Sequence, residues 1–209
     1  MAASMTYDSL VEDIKSYVER DDEPFVSQIP RFIMMAENKL ATRCRGLGIL
    51  RLVNGAFTAS NPTLEKPMRW RETGSFSYVN GLGARTFLKL RSYEYCRVYS
   101  DDAGVSDPVY YADYGYEHYF LAGTPPAAYN FELMYFERPE PLDADNQTNW
   151  TTQYAPQLIL FATLLEAQTW LKLPERAKEF KDNFDDAMAA VTAEADRRIA
   201  DMSATRRPT

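Results

Sequence analysis

Apolar residues recur at three- and four-residue steps near both ends of the chain and mostly at two-residue steps between them, so helices are expected to flank strands. The strongest stretch runs from Asn149 to Met202. Leu158, Phe161, Leu165 and Thr169 keep a helical rhythm, and Ile159, Ala162 and Leu164 widen the stripe. After Leu171-Lys172-Leu173-Pro174 the rhythm resumes at Ala177, Phe180, Phe184, Ala187, Val191 and Ala195. Pro156 and Pro174 suit first helical turns, where an amide has no intrahelical acceptor. The two helices form an antiparallel hairpin. The first is apolar over most of its circumference, so it requires cover from more of its own chain or from copies of it.

The N-terminal stretch reads the same way. Thr6 is an N-cap with Asp8 in the first turn. Tyr7, Leu10, Val11, Ile14, Tyr17 and Val18 make one stripe to about Arg20, which Asp21-Asp22-Glu23-Pro24 ends. A second helix starts at Pro30, carries Ile33, Ala36, Leu40, Ala41 and Cys44 on one face, and stops at Gly46 and Gly48.

Between the hairpins, short strands are expected at 51–53, 57–59, 68–78, 85–91, 109–114, 118–122 and 129–136. Asn80-Gly81 signals a hairpin between two of them. The fold class is α+β: a discontinuous helical bundle from N- and C-terminal hairpins (1–48 and 143–202) with an inserted antiparallel β-domain (49–142) and a flexible basic tail (203–209).

Composition narrows the function. The chain has 209 residues, 45% of them hydrophobic, enough for a sizeable core. Its net charge of −7 disfavours a tight grip on nucleic acid and suits a wall past which DNA slides. Cys44 and Cys96 lie far apart and read as single thiols. The N-terminus lacks a signal-peptide pattern and no run has the length of a membrane span, so a soluble protein made in a cytoplasm is expected.

Catalytic signals are few. His118 is the lone histidine, sits in a strand pattern and lacks the cysteines a zinc site would need. Gly46-Leu47-Gly48 and Gly81-Leu82-Gly83 lack the rest of a phosphate loop. Asp143, Asp145 and Asn146 lack the glycine and distal glutamate of a calcium loop, and Asp101-Asp102 and Asp185-Asp186 read as solvated faces. No catalytic, cofactor or metal residue is assigned, and an enzyme is not expected. Two features stay open. Tyr110, Tyr111, Tyr114, Tyr116 and Tyr119 are either a half-exposed sheet face or a contact surface. Arg197, Arg198, Arg206 and Arg207 are either dipole-complementing charges with a solubilising tail or an arm that orders on a partner.

A succession of phrases carries a resemblance: Met5-Thr6-Tyr7-Asp8-Ser9-Leu10-Val11, then Gln28-Ile29-Pro30-Arg31-Phe32-Ile33-Met34-Met35-Ala36-Glu37-Asn38-Lys39-Leu40, then Phe131 through Pro139-Glu140-Pro141-Leu142, then Thr148-Asn149-Trp150 leading into Ala155 to Ala167. In that order they resemble the head-to-tail adaptor, connector or head-completion proteins of short-tailed tailed bacteriophages. The resemblance implies a structural virion protein of the neck. Twelve copies would form a ring beneath the portal, extending the DNA channel and docking the tail nozzle, with no cofactor and no membrane. It makes Arg197, Arg198, Arg206 and Arg207 candidate portal contacts and the five tyrosines candidate tail-protein contacts. Leu158, Phe161 and Leu165 become a candidate oligomer interface. Two alternatives remain: a virion-associated hydrolase of host envelope polymers using paired acids such as Glu117 and Glu132, and a glycan-binding or capsid-decorating β-module.

Overall fold

The structure, a computed structural model, describes residues 5–43 and 50–203. Helices α1 (Tyr7–Val18), α2 (Glu23–Val26) and α3 (Ile29–Arg43) come first. Strands β1 (Leu50–Ala56), β2 (Thr63–Glu65), β3 (Trp70–Val79), β4 (Arg85–Phe87) and β5 (Lys89–Leu90) follow. Then come helix α4 (Tyr93–Ala103) and strands β6 (Tyr110–Tyr114), β7 (His118–Ala122) and β8 (Asn130–Glu137). Helices α5 (Trp150–Tyr154), α6 (Pro156–Leu171) and α7 (Pro174–Ser203) close the chain. The class is α+β. The described residues fall into two compact units, one drawn from Met1–Ile49 and Arg138–Thr209, the other from Leu50–Glu137.

The first unit is helical and α6 is its centre. Leu158, Ile159, Leu160, Ala162, Thr163, Leu164, Ala167 and Gln168 are all buried, so hardly any side of this helix meets water. Helices α1, α3, α5 and α7 pack against it. Leu10, Ile14, Ile29, Ile33, Leu40, Phe180 and Phe184 supply the facing side chains, each burial stabilising by roughly 1.5–3 kcal/mol. The chain itself therefore provides cover for α6. Lys39 on α3 pairs with Glu166 on α6 at the rim.

Local chemistry accounts for the helix ends. Thr6 and Ser9 form a capping box at α1, and Asn149 and Thr152 form one at α5. The stretch expected only to terminate α1 instead starts α2: Asp22 takes the N-cap position and Pro24 lies in the first turn, where proline is tolerated. Cys44, Gly46 and Gly48, read as the end of the second helix, lie outside the described residues.

The second unit has three layers. One sheet has the order β1-β8-β3-β4, the other β2-β7-β6-β5, and α4 packs on β6 and β7. Phe57, Phe76, Tyr78, Leu88, Tyr111, Tyr119, Leu121, Leu133 and Tyr135 form one core cluster contributed by both sheets. Cys96, Ala112, Phe120 and Ala122 form a second, between α4 and its sheet. Gly55 is needed at its place: a Cβ there would come within 2.6 Å of the Phe131 ring in the facing strand.

Three sequence expectations are corrected here. The stretch 85–91 is two strands, because Leu88 donates its amide to Phe76 of one sheet and Lys89 donates to Val109 beside the other. The β-unit is not wholly antiparallel, since β5 and β6 run parallel, joined through α4 as parallel strands require a crossover. Residues 57–59 are not a strand, although Phe57 still donates to the Tyr129 carbonyl at 2.9 Å.

Gln168 is fully buried and neither its amide nitrogen nor its oxygen has a hydrogen-bond partner among the described residues. A buried polar group of that kind costs about 1–3 kcal/mol. Gln168→Leu is therefore expected to raise the urea midpoint by that amount of stability; a lower midpoint would show that the amide is satisfied in solution.

Candidate functional site

The five tyrosines divide by strand parity. Along β6 and β7, Tyr111 and Tyr119 point into the core between the sheets and are buried, at 6% and 0% exposure. The reading of all five as one contact surface is corrected for these two. Tyr110 faces α4 and is half-buried, with edge-on contacts to Tyr95 and Tyr99. Tyr114 is 48% exposed and stacks on Tyr93 with centroids 5.3 Å apart. Tyr116, in the β6–β7 turn, is 90% exposed. Two outward tyrosines remain.

The turn bearing Tyr116 is held by a buried lysine. Lys66, with a side chain 2% exposed, donates to the Gly115 carbonyl at 2.8 Å and pairs with Asp113 at 2.7 Å. Its ammonium lies 3.8 Å from the centroid of the Trp70 ring, and that ring meets Tyr119 edge-on. Trp70 donates to the Thr73 hydroxyl, which in turn bonds the Tyr119 hydroxyl at 2.6 Å. Burial drives the Tyr119 phenol far above its ordinary range, so it stays neutral. Sequence reading missed this group, because Lys66 carries no pattern of its own.

The other candidates are dispersed. Arg197 is exposed near the end of α7 and Arg198 follows it in the helix. Arg206 and Arg207 lie outside the described residues. Leu158 is 1% exposed inside the helical core, which withdraws it from an oligomer interface; Phe161 and Leu165 are half-buried. His118 sits in β7 opposite Glu65 and Tyr114. Glu132, on β8, is held by Arg85 at 3.0 Å, and Glu117 lies in the β6–β7 turn of the other sheet, so the two acids are not brought together. Asp143 accepts from the amides of Asp145 and Asn146, a turn rather than a cation loop. Among the described residues no cluster of metal-ligating side chains occurs, and no helix is long and apolar enough to cross a membrane.

What the structure does bring together is a set of separated sequence phrases, around Glu37. This α3 carboxylate accepts from the Leu142 amide and, at 2.8 Å, from the Asn149 amide side chain. Asn149 also donates to the Glu140 carbonyl while its own oxygen caps α5 through Thr151 and Thr152. Gln147 accepts from the amides of Tyr7 and Asp8, which fastens the start of α1 to the same segment. Burial pushes the Glu37 carboxyl up to about 7; the hydrogen bonds from Leu142 and Asn149 oppose that rise and Asp143 adds to it.

Two consequences are measurable. Because the folded-state value exceeds the ordinary 4.5, the Glu37 contribution to stability is complete below about pH 4.5 and is lost as pH rises through about 7. Glu37→Gln should flatten the profile of urea midpoint against pH by roughly 3 kcal/mol across that window; parallel profiles for the two proteins would refute it. Lys66→Ala removes the ammonium from the Trp70 face and should cost about 2 kcal/mol, seen as a lower midpoint together with altered tryptophan fluorescence.

Among curated proteins none matches this chain. The family model described as SU10 adaptor protein matches residues 5–208, nearly the full length, and the chain belongs to that family.

Proposed function

We propose that this chain is a head-to-tail adaptor of a short-tailed phage, assembling as a ring between the portal and the tail nozzle and extending the DNA channel. Family membership makes it a phage adaptor protein, a structural component associated with the virion. That match over almost the whole chain is the observation that carries the reading. Other features support it. A net charge of −7 suits a channel wall that DNA passes without adhering. The exposed Tyr114 and Tyr116 offer apolar area with a hydroxyl, the chemistry of a protein contact. The end of α7, with Arg197 and the arginines that follow it in sequence, is the proposed portal contact.

Mass measurement tests the reading. The purified chain, mixed with the portal protein encoded alongside it, should form a complex with about one copy per portal subunit. Failure to associate under any order of mixing would sink the adaptor assignment. Removing residues 203–209 should weaken portal binding, and Tyr114→Ser with Tyr116→Ser should leave the portal complex intact but abolish nozzle attachment. Normal nozzle attachment by that variant would remove the tyrosines from the tail contact.

A further inference from the structure

We propose that the β4 edge of the first sheet in one copy pairs with the β1 edge in the next copy, packing Phe87 against Leu52. The inference rests on the ring reading and supplies a contact within that ring. The sheet has the order β1-β8-β3-β4 with every neighbouring pair antiparallel, so its two edge strands run in opposite directions. Joining β4 to β1 therefore continues the antiparallel alternation from copy to copy by rotation alone, a head-to-tail contact of the kind from which rings are built when the rotation closes.

Both edges are open among the described residues. Phe57 donates to Tyr129 across the β1–β8 ladder, so two-residue alternation turns the backbone groups of Leu52, Asn54 and Ala56 away from β8. Leu88 donates to Phe76, which by the same alternation turns those of Arg85 and Phe87 away from β3. Natural edges are commonly blunted by lysine or proline; β1 and β4 carry neither.

The side chains match as well. Leu52 lies opposite Met134, and Phe87 opposite Ser77, which lies opposite Glu132. All share the face turned away from the core residues Leu133 and Tyr135. Leu52 is 58% exposed and Phe87 60%, one on each edge strand. Edge-to-edge joining buries one against the other and sets Asn54 beside Arg85. A symmetric β1–β1 contact would leave Phe87 in water. Because β4 has only three residues, one junction buries far less than the roughly 1,200 Å² of a stable interface. Single pairs are accordingly weak, and copies join when a template holds them side by side.

Leu52→Cys with Phe87→Cys, in a Cys44→Ser background, tests the junction. Within one chain the two positions lie on opposite edges of four strands, roughly 14 Å apart at the usual strand spacing, beyond disulfide reach. Assembled on the portal and mildly oxidised, the double variant should give a ladder of covalent oligomers, whereas each single variant should not. Stoichiometric assembly on the portal without a ladder overturns the edge pairing and leaves the ring intact. Dimers from Leu52→Cys alone would overturn it in favour of symmetric β1–β1 contact. No assembly at all by the unaltered chain removes both readings.

Discussion

Helix α6 carries apolar side chains on nearly every side, and a helix of that kind has no face to offer water. One neighbouring helix covers only part of such a surface, so several are needed. The chain meets the requirement by bringing α1 and α3 from its beginning and α5 and α7 from its end around the same helix. The helical unit is discontinuous in sequence for that reason. The β-unit is then a long excursion between two segments that must be held close.

Holding them is the work of polar contacts at the seam. Glu37, Leu142 and Asn149 are separated by more than a hundred positions from first to last, yet they share one hydrogen-bonded node. A carboxylate there is costly to ionise, which makes the node sensitive to pH in a range where most surface carboxylates are fully charged. Glu37 supplies the acceptor for the Leu142 amide and a second acceptor for the Asn149 side chain, which also reaches the Glu140 carbonyl. Charge and capping thus do together what apolar packing alone leaves undone, namely fixing one path for the segment that leaves β8.

The β-unit depends on a different device. Its two sheets exchange the chain between Leu88 and Lys89, and the aromatic core between them takes up Tyr111 and Tyr119. Their hydroxyls are accommodated because both meet the Thr73 side chain, Tyr119 at 2.6 Å. Tyrosines that look alike in sequence thereby acquire opposite roles, structural at Tyr111 on β6 and Tyr119 on β7 and outward at Tyr114 and Tyr116. Outward tyrosines offer apolar area together with a hydroxyl, a composition common in protein contact surfaces.

Periodicity by itself located long helices near both ends of the chain, because the apolar stripes from Tyr7 to Val18 and from Pro156 to Ala195 are long enough to repeat several times. Caps and prolines located most of their ends, and the α+β class followed. Short elements escaped it. Helix α4 carries three tyrosines and one valine in eleven residues and falls in the gap between the strands expected at 85–91 and 109–114; only Ser92 as N-cap and Gly104 after the last turn mark it. The parallel β5–β6 pair was hidden with it. Tertiary structure alone decided which tyrosines are buried, that Leu158 faces its own bundle, that Lys66 is caged by aromatic rings, and that Glu37 meets Asn149. Each of these depends on a contact between residues far apart along the chain, and local pattern carries no information about which distant side chain will fill the other half of such a contact.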